Sequence, residues 1–207
     1  MSCAGWFQLQ LAAHHLRCGG VIAHATEGVW GLACDAFNEC AVMELVALKQ
    51  RPGSKGFILI ADCLERFGSL VGELSDTQRR TLADAWPGPV TFLVAAPKAP
   101  AWLRGGHLQL AVRVPGHAQA RALCERFGGP LVSTSANPHA RMPARNASQV
   151  RRHFGDRLSF ILAGRTGGLA GPSEIRDLST GTVVRPAVEG LPTMSVRQRD
   201  GSIRSRR

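Results

Sequence analysis

Three short segments of this 207-residue chain concentrate side chains that can do chemistry. The first is Leu48-Lys49-Gln50-Arg51-Pro52-Gly53-Ser54-Lys55, where two of the chain's lysines flank an arginine. Lys49, Arg51 and Lys55 converging on a polyanion could hold a triphosphate, because each charge-assisted hydrogen bond to phosphate is worth roughly 1.5–3 kcal/mol. Cations also suit the C-terminus of a helix on macrodipole grounds alone. The second is Pro130-Leu131-Val132-Ser133-Thr134-Ser135-Ala136-Asn137-Pro138, an apolar strand ending in small hydrogen-bonding side chains. In open α/β sheets the carboxyl edge of a strand is where ligands bind. The third is Gly167-Gly168-Leu169-Ala170-Gly171-Pro172-Ser173-Glu174-Ile175-Arg176-Asp177, where glycines permit close backbone approach and Ser173 offers a hydroxyl.

Other designs are missing. There is no G-x-S-x-G elbow, no Ser-His-Asp order and no G-x-x-x-x-G-K-[ST] loop, so any nucleotide is held by another device. Six cysteines form no C-x-x-C pair, and the seven histidines form no H-E-x-x-H pair. The expectation is reduced, mostly buried thiols and no structural metal.

The elements that must position these residues alternate in period. Leu9, Ala12, Ala13 and Leu16 share one face of a helix over 4–17, Gly19-Gly20 stops it, and Val21–Ala25 reads as a strand. Asn38 opens a helix over Glu39–Gln50, and Phe57–Ala61 is a buried strand. Ser75 to Gln78 has capping-box form and starts a helix to Trp86. Pro87-Gly88-Pro89 precedes a strand Val90–Ala95, and Leu108–Val114 is another. A helix over His117–Phe127 leads through Gly128-Gly129-Pro130 to the strand Leu131–Thr134. Asn146 to Gln149 again has capping-box form, for a helix to Phe154, followed by strands at Leu158–Leu162, Glu174–Leu178 and Thr182–Arg185. Consecutive strands without long helices between them predict a single-domain α/β fold, with a twisted mixed parallel and antiparallel sheet and flanking helices. The domain is expected over 4–186, with a flexible basic tail over 187–207.

Composition narrows the function classes. With 44% hydrophobic and 19% charged residues the chain can bury a core rather than remain disordered. No apolar run reaches the roughly 18–20 residues of a membrane span, and the N-terminus lacks a signal-peptide pattern, so a cytoplasmic protein without membrane contact is expected. The net charge of +10 is uneven. Residues 141–207 hold 13 basic groups, all arginine, against 5 acidic ones. Arginine's planar fork suits phosphate oxygens, so a nucleotide or RNA partner is expected.

Taken in chain order, six segments resemble the YrdC-like family of threonylcarbamoyl-AMP synthases, in its short form. They are residues 20–32 (GVIAHATEGVWGL), 48–52 (LKQRP), 86–91 (WPGPVT), 110–115 (LAVRVP), 133–137 (STSAN) and 172–177 (PSEIRD). The resemblance implies synthesis of threonylcarbamoyl-adenylate from L-threonine, bicarbonate and ATP, with release of pyrophosphate and with Mg²⁺ accompanying ATP. A downstream threonylcarbamoyl transferase complex would then modify the adenosine next to the anticodon of tRNAs reading ANN codons. It places Lys49, Arg51, Lys55, Ser135, Asn137 and Arg185 at ATP, and Thr26, Arg113, Ser133 and Ser173 at threonine. No protein side chain is expected to bind metal. Four positions depart from the family's usual pattern: Ala25 for proline, Gly28 for a hydroxyl residue, Ile60 for a histidine in some members, and Pro138 onward for a Ser-Gly pair. The rival reading is a non-catalytic YrdC-like module binding double-stranded RNA or ribosomal precursors. The arginine-rich tail reads first as a solvated segment, with weak tRNA or RNA binding as the alternative.

Overall fold

The computed structural model describes residues 5–50 and 56–188. Helix α1 (Trp6–Arg17) buries Ala12, Ala13 and Leu16, as the periodicity predicts, and Gly19 at φ +81° turns the chain out of it. Strands β1 (Ile22–Ala25) and β2 (Trp30–Asp35) follow as a hairpin. The Asn38 side chain caps α2 (Glu39–Lys49), accepting from the Ala41 N–H. After β3 (Ile58–Ile60) and a 3₁₀ segment over Leu64–Leu70, both halves of the capping box form at α3 (Asp76–Ala85) between Ser75 and Gln78. Then come β4 (Val90–Ala95), the short α4 (Ala101–Arg104), β5 (Gln109–Arg113) and α5 (Ala118–Phe127). The chain closes with β6 (Leu131–Ser135), α6 (Ala147–Phe154), β7 (Phe160–Ile161), β8 (Glu174–Asp177) and β9 (Val183–Arg185).

The second predicted capping box forms only in part. Asn146 accepts from the Gln149 N–H, but the Gln149 side chain reaches back to the Arg145 N–H instead of closing on Asn146. Strand β2 and the short helical segments at 64–70 and 101–104 have no counterpart in the sequence reading. Their cores are too short or too uniformly apolar for either period to stand out.

All nine strands form one sheet in the order β7-β1-β2-β6-β3-β5-β4-β8-β9. The pairs β1–β7, β3–β5 and β4–β8 are parallel and the other five antiparallel, so the sheet is mixed, as expected. Alternation along each strand sorts side chains to two faces. One face carries Leu32, Leu59, Phe92, Leu110, Val112 and Val132 into the main core with Val42, Leu45, Phe67, Leu82 and Phe154. The other carries Ile22, Ala33, Ile60 and Leu131 against Ala12 and Leu16 of α1 and Leu123 and Cys124 of α5. Leu16 and Leu123 are fully buried, each contributing about 1.5–3 kcal/mol.

Because α1 and α5 cover only part of that second face, Gly31, Ile58, Leu93, Gln109, Ala111, Arg113, Ser133 and Ser135 are left to line an open cavity. The cysteines divide more evenly than expected: Cys34 and Cys124 are buried, whereas Cys18 and Cys40 are exposed next to helix ends. Past 186, the half-exposed Val188 side chain lies near Gly171, and the rest of the expected tail, 189–207, falls outside the described residues. No described helix is long and apolar enough to cross a membrane.

Candidate active site

The cavity has a volume of about 700 Å³ and is bounded by the 26–31 turn, the strand ends of β3, β5 and β6, and the 171–173 loop with β9. Six of the residues singled out in the sequence meet there: Thr26, Arg113, Ser133, Ser135, Ser173 and Arg185. Residues 24–35 fold back as a hairpin, and the register sets Gly31 opposite Ser135 and Ala33 opposite Ser133. That pairing puts both serine hydroxyls on the cavity face. The Thr26 hydroxyl donates to the Val29 carbonyl at 2.7 Å, closing the turn while its lone pairs stay available to a ligand.

Arg113 stands at the buried end. Its Nη2 lies 3.2 Å from Glu27 Oε2, with both side chains almost excluded from water. The other carboxylate oxygen accepts from the Gly116 N–H at 2.8 Å and the His117 N–H at 3.3 Å, so Glu27 ties Arg113 to the start of α5. Arg113 Nε has no hydrogen-bond partner within the protein. A buried cationic donor without a partner is costly unless an anion meets it. Burial pulls the Arg113 pKa down, and Glu27 opposes that shift.

Arg185 donates through Nε and Nη2 to the Ser173 carbonyl at 3.2 and 2.7 Å, and the Ser173 hydroxyl sits 2.9 Å from that of Thr91. Its pKa is lowered by burial first and by the like charge of Arg113 second, since both arginines line the same cavity. The β8–β9 hairpin that carries Arg185 is fastened by Asp177. Its carboxylate accepts from Ser179, Thr180 and Gln109, and these bonds hold its pKa at about 2.

Lys49 and Asn137 lie beside the cavity and do not line it. The Lys49 ammonium, at the end of α2, donates to the Ser135 and Asn137 carbonyls and to Asn137 Oδ1. The Lys49 carbonyl in turn accepts from the His139 N–H at 2.8 Å. The Ser135 hydroxyl donates to Asn137 Oδ1 at 2.6 Å. Lys49 therefore sets the shape of the 135–139 turn. Arg51 and Lys55 fall outside the described residues.

A family model described as Telomere recombination, the Sua5/YciO/YrdC domain, matches residues 14–187. The chain belongs to the Sua5/YciO/YrdC family. Among its relatives, a threonylcarbamoyl-AMP synthase of Cellvibrio japonicus is 51% identical over 181 residues, covering 87% of this chain and 96% of that protein. One from Nitrosococcus oceani is 50% identical over 186 residues, covering 89% and 100%. Among solved structures, P. abyssi Sua5 complexed with L-threonine superposes with a TM-score of 0.81 at 28% identity. The match covers 87% of this chain and 54% of that one, so this chain spans about half the Sua5 length. E. coli YciO superposes at a TM-score of 0.75 and 25% identity, covering 88% and 90%.

The structure accounts for two departures of this family member. A Cβ at Gly28 would stand 2.0 Å from the Gly171 carbonyl oxygen, so the absence of a side chain lets the 26–28 turn meet the 171–173 loop. The N–H groups of Gly167 and Leu169 donate to the carbonyls of Thr26 and Glu27 across the same seam. Ile60 is fully buried in the cluster under α1 and α5, away from the cavity.

Several cavity residues escaped the sequence reading: Glu27, Trp30, Arg104, His107 and Gln109, with apolar Phe57, Ile58, Leu93, Ile175 and Val184. Glu27, Trp30 and Ile175 stood inside the quoted motifs without a role. The others are brought in by strand register.

Proposed function

We infer that the protein is a threonylcarbamoyl-AMP synthase, joining L-threonine, bicarbonate and ATP into threonylcarbamoyl-adenylate with release of pyrophosphate and water. The observation that carries the reading is one sheet-face cavity lined by three arginines (Arg104, Arg113 and Arg185), three serines and an apolar wall, with no nucleophile–base pair among the described residues. The threonine amine gains a carboxyl group, and that carboxylate displaces pyrophosphate from the α-phosphate in line. Such steps need positioning and charge neutralisation rather than a covalent enzyme intermediate.

In this assignment Arg113 takes the threonine carboxylate through its free Nε, with Thr26, Ser133 and Ser173 around the amino acid. Arg185 faces the nucleotide, whose base lies along Ile58, Leu93, Ile175 and Val184. Lys49 and Asn137 shape the turn that presents Ser135 to the phosphates, and Arg51 and Lys55 supply further cations. Mg²⁺ would accompany the triphosphate and supply charge neutralisation there. Among the described residues, no group of three His, Cys, Asp or Glu side chains could hold a metal.

The product passes to a transferase complex acting on tRNA, in the cytoplasm. Exposed Arg141, Arg145, Arg151, Arg152 and Arg157 along α6 and its flanks offer a basic surface to that RNA. Pyrophosphate release measured with threonine, bicarbonate and ATP each omitted in turn tests the reading. Release that requires all three, with an adenylate of the expected mass, supports it. Intact ATP in the presence of folded, RNA-binding protein replaces it with the binding-module reading.

A further inference from the structure

His24 is fully buried on β1, directly behind the cavity wall formed by Gly31, Thr26 and Thr134, and no step above uses it. Its Nδ1 lies 3.1 Å from the Ala25 carbonyl oxygen, which can only accept, so the ring proton sits on Nδ1 and Nε2 presents a lone pair. Nε2 has no partner within the protein. Its surroundings can be located from Gly31, the residue opposite His24 in the β1–β2 ladder. A Cβ at Gly31 would stand 3.3 Å from His24 Nε2, 3.4 Å from the Thr134 carbonyl oxygen and 3.4 Å from the Thr26 methyl. Gly31, Thr134 and Thr26 all line the cavity, so the space above Gly31 has an acceptor nitrogen on one side and a methyl group on another.

Among the described residues, five buried side-chain atoms have no hydrogen-bond partner: His24 Nε2, Glu27 Oε2, Arg113 Nε, Trp30 Nε1 and Gln119 Oε1, although Glu27 Oε2 is ion-paired with Arg113 Nη2 at 3.2 Å. Gln119 Oε1 faces Gly164, outside the cavity, and Trp30, though it borders the cavity, packs into the main core. The remaining three differ in kind. Arg113 Nε is a cationic donor, Glu27 Oε2 an anionic acceptor and His24 Nε2 a neutral acceptor. An α-amino acid bearing a β-hydroxyl offers their complements: a carboxylate, an ammonium and a neutral donor. Matching full charges to full charges leaves the hydroxyl for the histidine. Burial holds the His24 pKa down at about 4, with His117 and Arg113 adding to the shift and the Ala25 bond and Glu27 opposing it. The ring is therefore an acceptor at neutral pH.

We propose that His24 reads the side-chain hydroxyl of the amino-acid substrate, accepting its hydrogen bond at Nε2 above Gly31 while the Thr26 methyl packs against the substrate methyl. This rests on the amino-acid subsite assigned above. A site built to pair with a hydroxyl rejects the isostere that lacks it, because the buried acceptor is then left unpaired.

The test compares kcat/KM for L-threonine with that for L-valine, its near-isostere, in pyrophosphate release by wild type, His24→Phe and His24→Gln. The expected result is a threonine-to-valine ratio that falls at least about tenfold in His24→Phe and recovers in His24→Gln, whose amide oxygen accepts. A wild-type ratio in His24→Phe, or equal losses on both amino acids, overturns the proposal. A wild type that consumes ATP with neither amino acid fails the activity reading itself, a distinguishable outcome. Should His24→Phe not fold, ¹⁵N-histidine spectra of the wild type decide. The His24 Nε2 resonance must move on adding threonine and stay in place with valine; the same movement with both refutes the assignment.

Discussion

Replacing Arg113 by methionine separates the two things this residue does. In the fold, its Nη2 faces Glu27 Oε2 at 3.2 Å with both side chains about nine-tenths buried. Removing one partner of such a pair costs roughly 3–5 kcal/mol, because the other charge is left buried. Glu27 keeps the Gly116 and His117 N–H donors, so the lower end, about 3 kcal/mol, is expected. In a chain of this size that lowers Tm by roughly 6–12 °C. Adding Glu27→Gln removes the stranded charge and should restore most of the Tm. In the site, losing even one charge-assisted bond to the substrate carboxylate costs about 1.5–3 kcal/mol. The threonine KM should then rise by roughly tenfold to a hundredfold in the single variant, and no less in the double one, which also loses the carboxylate matched to the substrate ammonium. Threonine titrations of pyrophosphate release at saturating ATP, with melting curves on the same samples, read both effects. A threonine KM within about threefold of wild type in folded Arg113→Met would refute the carboxylate assignment.

Three further outcomes follow from the geometry. Gly28→Ala places a methyl 2.0 Å from the Gly171 carbonyl oxygen and must push the 171–173 loop outward, costing about 1–3 kcal/mol and weakening substrate binding; unchanged melting and KM would mean the seam is not tight. Lys49→Met strips the Ser135 and Asn137 carbonyls of their donor, so the ATP KM should rise more than the threonine KM, with a loss of about 1–3 kcal/mol in urea unfolding. An equal rise in both constants would count against its role in the phosphate-side turn. For His24, whose pKa falls on folding from 6.5 to about 4, the unfolded chain binds the extra proton between those values. Stability should therefore decline by up to about 3 kcal/mol as pH drops from 6.5 to 4. His24→Phe should flatten that part of the pH–stability curve, and an unchanged slope would show that other groups set it.

The segments that carried most in the sequence were those whose signal is local. Asn38 and Ser75 announce helices because a capping side chain bonds an N–H two or three residues away, and both caps form. Pro87-Gly88-Pro89 marks the start of β4 by an equally local effect, since proline fixes φ and lacks the N–H a helix needs. Asn146 was readable too, but its partner was not: Gln149 chose the Arg145 N–H over that of Asn146, a matter of loop path. Thr26, Arg113, Ser133, Ser135, Ser173 and Arg185 could be named through the ordered motifs, and they meet in one cavity. Glu27 and His24 stood in the same motif without a role, since neither type nor spacing tells which neighbour a buried polar atom will face.

Residue types and their local spacing thus determined the mixed α/β class, the helix caps and the family to which the chain belongs. What only tertiary structure decided was which side chains share a cavity and which stand behind it. Lys49 reads as a phosphate ligand in the sequence, yet the packing of α2 against the 135–139 turn directs its ammonium to backbone carbonyls. Gly28 reads as a lost hydroxyl until Gly171 is found against it. The physical reason is the sheet order. Strands far apart in the chain, β2 with β6 and β3 with β5, are set side by side by long-range register, and a shift of one residue would send every cavity side chain to the opposite face.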